Sequence, residues 1–205
     1  MTQLREGASE MKFALVAFAS GCALALAPTS AQAEVVVLGF EDVPTPFQHP
    51  VTGMFRGPLP SPYAGFGWAT NWGGDPGSPI PAGFAGVYQN TSSQPSGYQS
   101  AIPGGTRALY TPSVSDDPNL ITITRNESWN FHYAGFAAAW NAGLTVEITG
   151  LLAGQVRYSI VTTLTAAGVM NVVTANFMGI DALTIRSSGG TTAYPRKQWR
   201  APHRG

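Results

Sequence analysis

Tyr63, Trp72 and Tyr98 sit where loops could offer a flat ring to the face of a sugar, in or beside the stretch PLPSPYAGFGWATNWGGDPGSPIPAGFAGVYQN. Stacking of that kind needs apolar ring area together with a polar handle, which Tyr and Trp both supply. Phe66 and Trp68 lie in the same stretch but alternate as a buried strand does, and their spacing assigns them to the core. Trp129, Phe131 and Tyr133 alternate likewise and are expected on one face of a strand.

Residues able to do acid, base or nucleophilic work are sparse. His49 and His132 are solitary, and neither an HExxH pair nor a GxSxG nucleophile turn occurs. A glycosidase needs two carboxylates flanking the scissile bond, and the spacing of the acids here places no pair across a cleft. Asp116 and Asp117, just before Pro118, read as a turn. Glu41 and Asp42 follow the apolar run VVVLGF, where strand-end solvation and turn capping by Asp account for them. The expectation is a protein that is not an enzyme.

The elements that must hold these residues are strands. Of 205 residues 44% are hydrophobic and only 11% charged, enough apolar material for one core. Gly (24) and Pro (16) together point to many turns rather than long helices. Between Pro44 and Gly105 the prolines deny the backbone ladder donors, so strands there must be short. From Leu120 onward LITIT, WNFHYAGFAAAW, LTVEIT, QVRYSIVTTL, VMNVVTANF and ALTIR are β-branched or aromatic runs. In LTVEIT the alternation sends Leu144, Val146 and Ile148 to one side, and Val156, Tyr158 and Ile160 are expected to point inward beside them. The links NAG and GLLAG have hairpin lengths, whereas parallel strands need crossovers of about a dozen residues. The fold class expected is all-β, an antiparallel two-sheet sandwich of at least seven strands, jelly-roll-like.

Compartment and partners follow from the two ends. Lys12, the apolar run FALVAFASGCALALA, and Ala31-Gln32-Ala33 form the pattern of a signal peptide over residues 1–33, with the mature chain starting at Glu34. Met11 offers a more ordinary start than Met1. About 15 apolar residues fall short of the roughly 20 that span a bilayer, so no membrane anchor is expected in the mature form. Cys22, the one cysteine, lies in this leader without the Leu that a lipid-attachment site carries three residues earlier. The mature chain therefore has no thiol and no disulfide partner, and a secreted or periplasmic protein held by packing alone is expected. Residues 34–195 hold five Arg against nine Asp or Glu, so no basic face for nucleic acid is expected. Residues 193–205, with Arg196, Lys197, Arg200 and Arg204, read as a basic, disordered tail after a sandwich over 34–192.

The set SGYQSAIPGG, AAWNAGLTVEITG, FMGIDALTI and SSGGT, with GFEDVPTP and YAGFGW near the front, resembles a family of exported bacterial β-sandwich proteins. Such proteins often carry a PEP-CTERM sorting tail and resemble carbohydrate-binding modules. The resemblance spans about Val35 to Thr192 and implies an extracellular jelly roll with no known reaction. It also implies a structural calcium near Glu41 and Asp42, although one carboxylate pair does not fill a shell of about six to eight oxygens and the family's C-terminal acids are absent. The family's final strand and sorting segment are replaced here by TAYPRKQWRAPHRG. Three readings follow: a non-catalytic module that binds an extracellular polysaccharide, a structural matrix or surface protein without a discrete pocket, and a sandwich-fold hydrolase or lyase.

Overall fold

The computed structural model describes residues 35–48, 54–74, 77–89, 106–111 and 119–193. Two compact units divide the chain after Val36, and the sandwich belongs to the second, Val37–Gly205. Among the described residues there is no helix, and the strands are antiparallel. The first sheet is built from β1 (Phe47–Gln48), β2 (Phe55–Pro58), β4 (Gly86–Gln89) and β5 (Arg107–Tyr110), in the order β1-β2-β4-β5. None of these exceeds four residues, as the proline content requires. The second sheet has the order β3-β6-β10-β8-β9, from β3 (Gly67–Thr70), β6 (Asn119–Ala137), β10 (Met170–Ser188), β8 (Leu144–Leu152) and β9 (Gln155–Leu164). A small ladder joins β7 (Asn141–Ala142) to β11 (Thr191–Thr192). The chain passes between the two sheets at β2 to β3, β3 to β4 and β5 to β6.

Between the sheets lies one core. Val43, Leu59, Val87, Phe66 and Trp68 from the N-terminal part meet Ile123, Val146, Ile148, Phe177, Ile180 and Leu183. Ile148, Ile180 and Leu183 are wholly enclosed. The inward assignment of Leu144, Val146 and Ile148 holds, and so does the core role of Phe66 and Trp68.

Long strands replace some of the separate runs expected from sequence. LITIT and WNFHYAGFA fuse into the 19-residue β6, and VMNVVTANF and ALTIR into the 19-residue β10. The ladder survives because extra residues are absorbed as bulges: the register slips between Thr174 and Phe177, between Phe177 and Ile180, and between Ile180 and Ala182, whose partners are Trp129 and Thr124. Asn176 (φ 52°) and Gly179 (φ 64°) take the left-handed conformations that such bulges use. The first slip falls between Thr174 and Phe177, the partners of Tyr133 and Phe131. Trp129 and Phe131 pack against the core, whereas Tyr133 is exposed.

Two further corrections concern β8 and β9. The NAG link is not a hairpin, because β10 lies between β6 and β8 and the linking residues Asn141–Ala142 pair with Thr191–Thr192 instead. The GLLAG link does form a hairpin, with Ala153 (φ 51°) and Gly154 (φ 75°) as its two turn residues. In β9, Ile160 packs against the core as expected, but Tyr158 lies at the rim, stacked on Phe177 with ring centres 5.0 Å apart. Val156 is 63% exposed. The cause is a bulge: Tyr158 faces Gly150 while Val156 faces Leu151, so Arg157 is the extra residue and Val156 is switched to the outer face. At the far end Ala193 still donates to the Trp140 carbonyl at 2.9 Å, one residue past the expected end of the sandwich. The remaining tail, 194–205, lies outside the described residues.

Candidate functional site

Glu41 and Asp42 occupy a turn closed by the Val43 amide, which donates to the Phe40 carbonyl at 3.2 Å. Their carboxylates point to different partners. Glu41 Oε1 accepts from the amides of Thr106 at 2.8 Å and Arg107 at 3.1 Å, and its Oε2 accepts from the Thr106 hydroxyl at 2.6 Å. The Arg107 guanidinium donates to the Glu41 carbonyl. The Thr106 hydroxyl, more than any other partner, holds the Glu41 carboxyl below its ordinary value. The side chain thus ties the N-terminal segment to the start of β5.

Asp42 Oδ1 accepts a 2.6 Å hydrogen bond from the Tyr63 hydroxyl. Burial, helped by this bond, pushes Tyr63 up to about 12. Its ring stacks on Phe40 at 5.7 Å, and its carbonyl accepts from the Trp68 indole at 3.1 Å. A tight turn at Ala64 and Gly65, both left-handed, pairs Tyr63 with Phe66 and fixes the ring. Tyr63 is therefore half-buried and engaged on both its ring and its hydroxyl.

Trp72 does not present a ring to solvent: it is 7% exposed. The segment after it folds back, with the Gly83 amide donating to the Trp72 carbonyl at 2.8 Å and Ala82 packed close to Gly74. Tyr98, His49, Asp116 and Asp117 lie outside the described residues. His132 is exposed beside the β10 bulge, its Nδ1 3.4 Å from Asn176 Oδ1. Among the described residues no three of His, Cys, Asp or Glu gather as a metal site.

A different surface brings polar groups together. Because opposed residues share a face, register places Thr122, Thr184, Thr149 and Ser159 in one row across β6, β10, β8 and β9 on the outer side of the second sheet. The adjacent row reads Leu120, Arg186, Glu147 and Val161. Leu120, Glu147, Thr149, Thr184 and Arg186 line a shallow open groove of about 210 Å³. Arg186 and Glu147 stand directly opposite each other, yet among the described residues neither has an ion-pair partner. The groove thus offers a fork of N–H donors, a carboxylate acceptor and hydroxyls that do both. No aromatic side chain lies in either row.

This face was partly visible in sequence. The alternation of LITIT, LTVEIT and ALTIR puts Thr opposite the buried positions, but only the strand order aligns those residues.

Fold and surface together define an all-β antiparallel sandwich with a polar, hydroxyl-lined sheet face. Comparison of the chain with protein-family models, with curated proteins and with solved structures returns no match.

Proposed function

We propose that the protein is an exported, non-catalytic module that holds an extracellular polysaccharide on the outer face of its second sheet. The observation that carries this reading is the row Thr122, Thr184, Thr149 and Ser159 beside an Arg186 and a Glu147 that face each other with no ion-pair partner among the described residues. A polyhydroxylated chain presents donors and acceptors in alternation, which hydroxyls, a guanidinium and a carboxylate can meet together. Recognition is then edge-on, through hydrogen bonds, in place of the ring stacking expected at Tyr63, Trp72 and Tyr98. Export rests on the leader pattern over residues 1–33.

The test is binding of a panel of neutral and acidic polysaccharides by titration calorimetry, comparing the wild type with Arg186→Ala and the double variant Thr149→Val/Thr184→Val. Each variant is expected to weaken binding at least about tenfold, equivalent to about 1.4 kcal/mol. Tyr63→Phe is expected to bind as the wild type does. Unchanged affinity in the groove variants would refute the assignment.

A second reading, a structural matrix protein, is favoured by one observation: β9 is a ten-residue strand at the edge of its sheet. Concentration-dependent assembly without saturable binding of any polysaccharide would select it.

A further inference from the structure

We infer that the open edge of β9 pairs with β9 of a second copy of this chain, joining the two five-stranded sheets across a two-fold axis at Val161. β9 ends the strand order and has β8 as its neighbour, and residues 155–159, 161 and 163 are exposed, so among the described residues no other segment pairs with its outer edge. Open edges are ordinarily blunted by Lys, Pro, bulges or shortness. QVRYSIVTTL has ten residues, no Pro, and one charge, Arg157, which sits in the bulge. The twist of that bulge protects the first residues of the strand and leaves Tyr158–Leu164 regular.

The backbone of this segment is directed so that it can pair with itself. The Leu164 carbonyl accepts from the Gly143 amide at 2.8 Å, so its polar groups turn toward β8. Alternation then turns those of Ser159, Val161 and Thr163 toward the open side. Val161 is the middle residue of Tyr158–Leu164, and an axis there opposes Val161 to Val161 and Ser159 to Thr163. These three hydrogen-bonded pairs exchange about six bonds in all. On the inner side the same register sets Ile160 against Thr162 and Tyr158 against Leu164, leaving no residue without a counterpart.

Side chains and charge favour a second copy over a foreign strand. Val161 is 63% exposed on the outer face, and its own symmetry mate is the apolar neighbour that covers it. The two Arg157 side chains lie beyond the ends of the paired segment. At about 3.4 Å per residue they are about 27 Å apart, well past the screening length of about 8 Å at physiological salt. This inference does not depend on what the groove binds.

Sedimentation velocity of the full-length protein over a wide concentration range, with amide hydrogen exchange read at Ser159, Val161 and Thr163, tests it. Dimer mass is expected at high concentration, with exchange at those three amides slowed at least tenfold relative to the dilute protein. Val161→Lys is expected to abolish the dimer, and Val172→Lys, at an exposed apolar site away from this edge, to retain it. A protein that stays monomeric throughout, a Val161→Lys variant that still dimerises, or a dimer whose three amides exchange as fast as in the monomer would each overturn the inference. Should Val161→Lys fail to fold, the exchange rates of the wild type decide alone.

Discussion

The hydroxyl of Tyr63 donates to Asp42 across 21 positions of sequence, closing the N-terminal turn onto the hairpin that carries Phe66 and Trp68. The bond requires a neutral phenol. With its value raised from 10.0 to about 12, Tyr63 contributes stability that is fully present below about pH 10 and lost as pH rises through 12. The melting temperature of the wild type is therefore expected to fall across that window, and Tyr63→Phe, lower at neutral pH, is expected to show less of that fall. Parallel melting curves for the two proteins from neutral to alkaline pH would remove Tyr63 as the cause.

Glu41 gives the opposite pH dependence. Its carboxyl is held below the ordinary 4.5 chiefly by the Thr106 hydroxyl, so its contribution is present above about pH 4.5 and disappears as pH falls through the depressed folded value. Glu41→Gln is expected to melt lower than the wild type at neutral pH and to converge with it in acid. Calorimetric melting at a series of pH values checks both the sign and the convergence.

Val146 is 2% exposed and packs in the core from the middle of β8. Val146→Asp buries a charge with no partner and is expected to cost about 3 kcal/mol or more, or to prevent folding. The outward neighbour Thr145, changed to Asp, is expected to cost less than about 1 kcal/mol. Denaturant midpoints of the two variants compare the faces directly, and equal losses would contradict the register.

Ala153 holds φ at 51°, a conformation unfavourable for a residue with a Cβ, and its amide donates to Asp181 Oδ2 at 2.7 Å. The two-residue turn that it forms with Gly154 favours Asn at this first position. Ala153→Asn is expected to stabilise the protein by about 0.5–1 kcal/mol, seen as a higher denaturant midpoint with an unchanged slope.

How far the sequence could be read depends on whether the signal was local. Alternation in LTVEIT located the buried face of β8, and the turn residues of GLLAG located its hairpin with β9. The strand order was not local. Nothing in NAG announces that β10 will enter between β6 and β8, and that insertion aligns Arg186 with Glu147. A single bulge residue, Arg157, reversed the expected direction of Val156, because the side-chain period of a strand is two and one extra residue inverts it. Trp72 was misjudged for a related reason: a Pro/Gly-rich segment reads as an open loop, but Trp72 is buried and its carbonyl accepts from the Gly83 amide. Tyr63 resembled an exposed platform in sequence and is instead half-buried, its ring stacked on Phe40 and its hydroxyl bonded to Asp42 some twenty positions earlier.

The order of the strands also sets an order of assembly in time. β6, β8, β9 and β10 all come from Asn119–Ser188, and the tight hairpin between β8 and β9 can close within about 10 μs of that stretch being free. β3 must wait for β6, some fifty residues further along, and Leu59 and Val87 have no opposing layer until Leu183 and Ile148 are in place. A chain emerging N-terminus first therefore exposes its short, proline-interrupted strands while their counterparts are still to come. Non-local pairing of this sort slows folding because loops must close before contacts reward them. The sandwich is thus expected to nucleate at its C-terminal half and to recruit the earlier strands last.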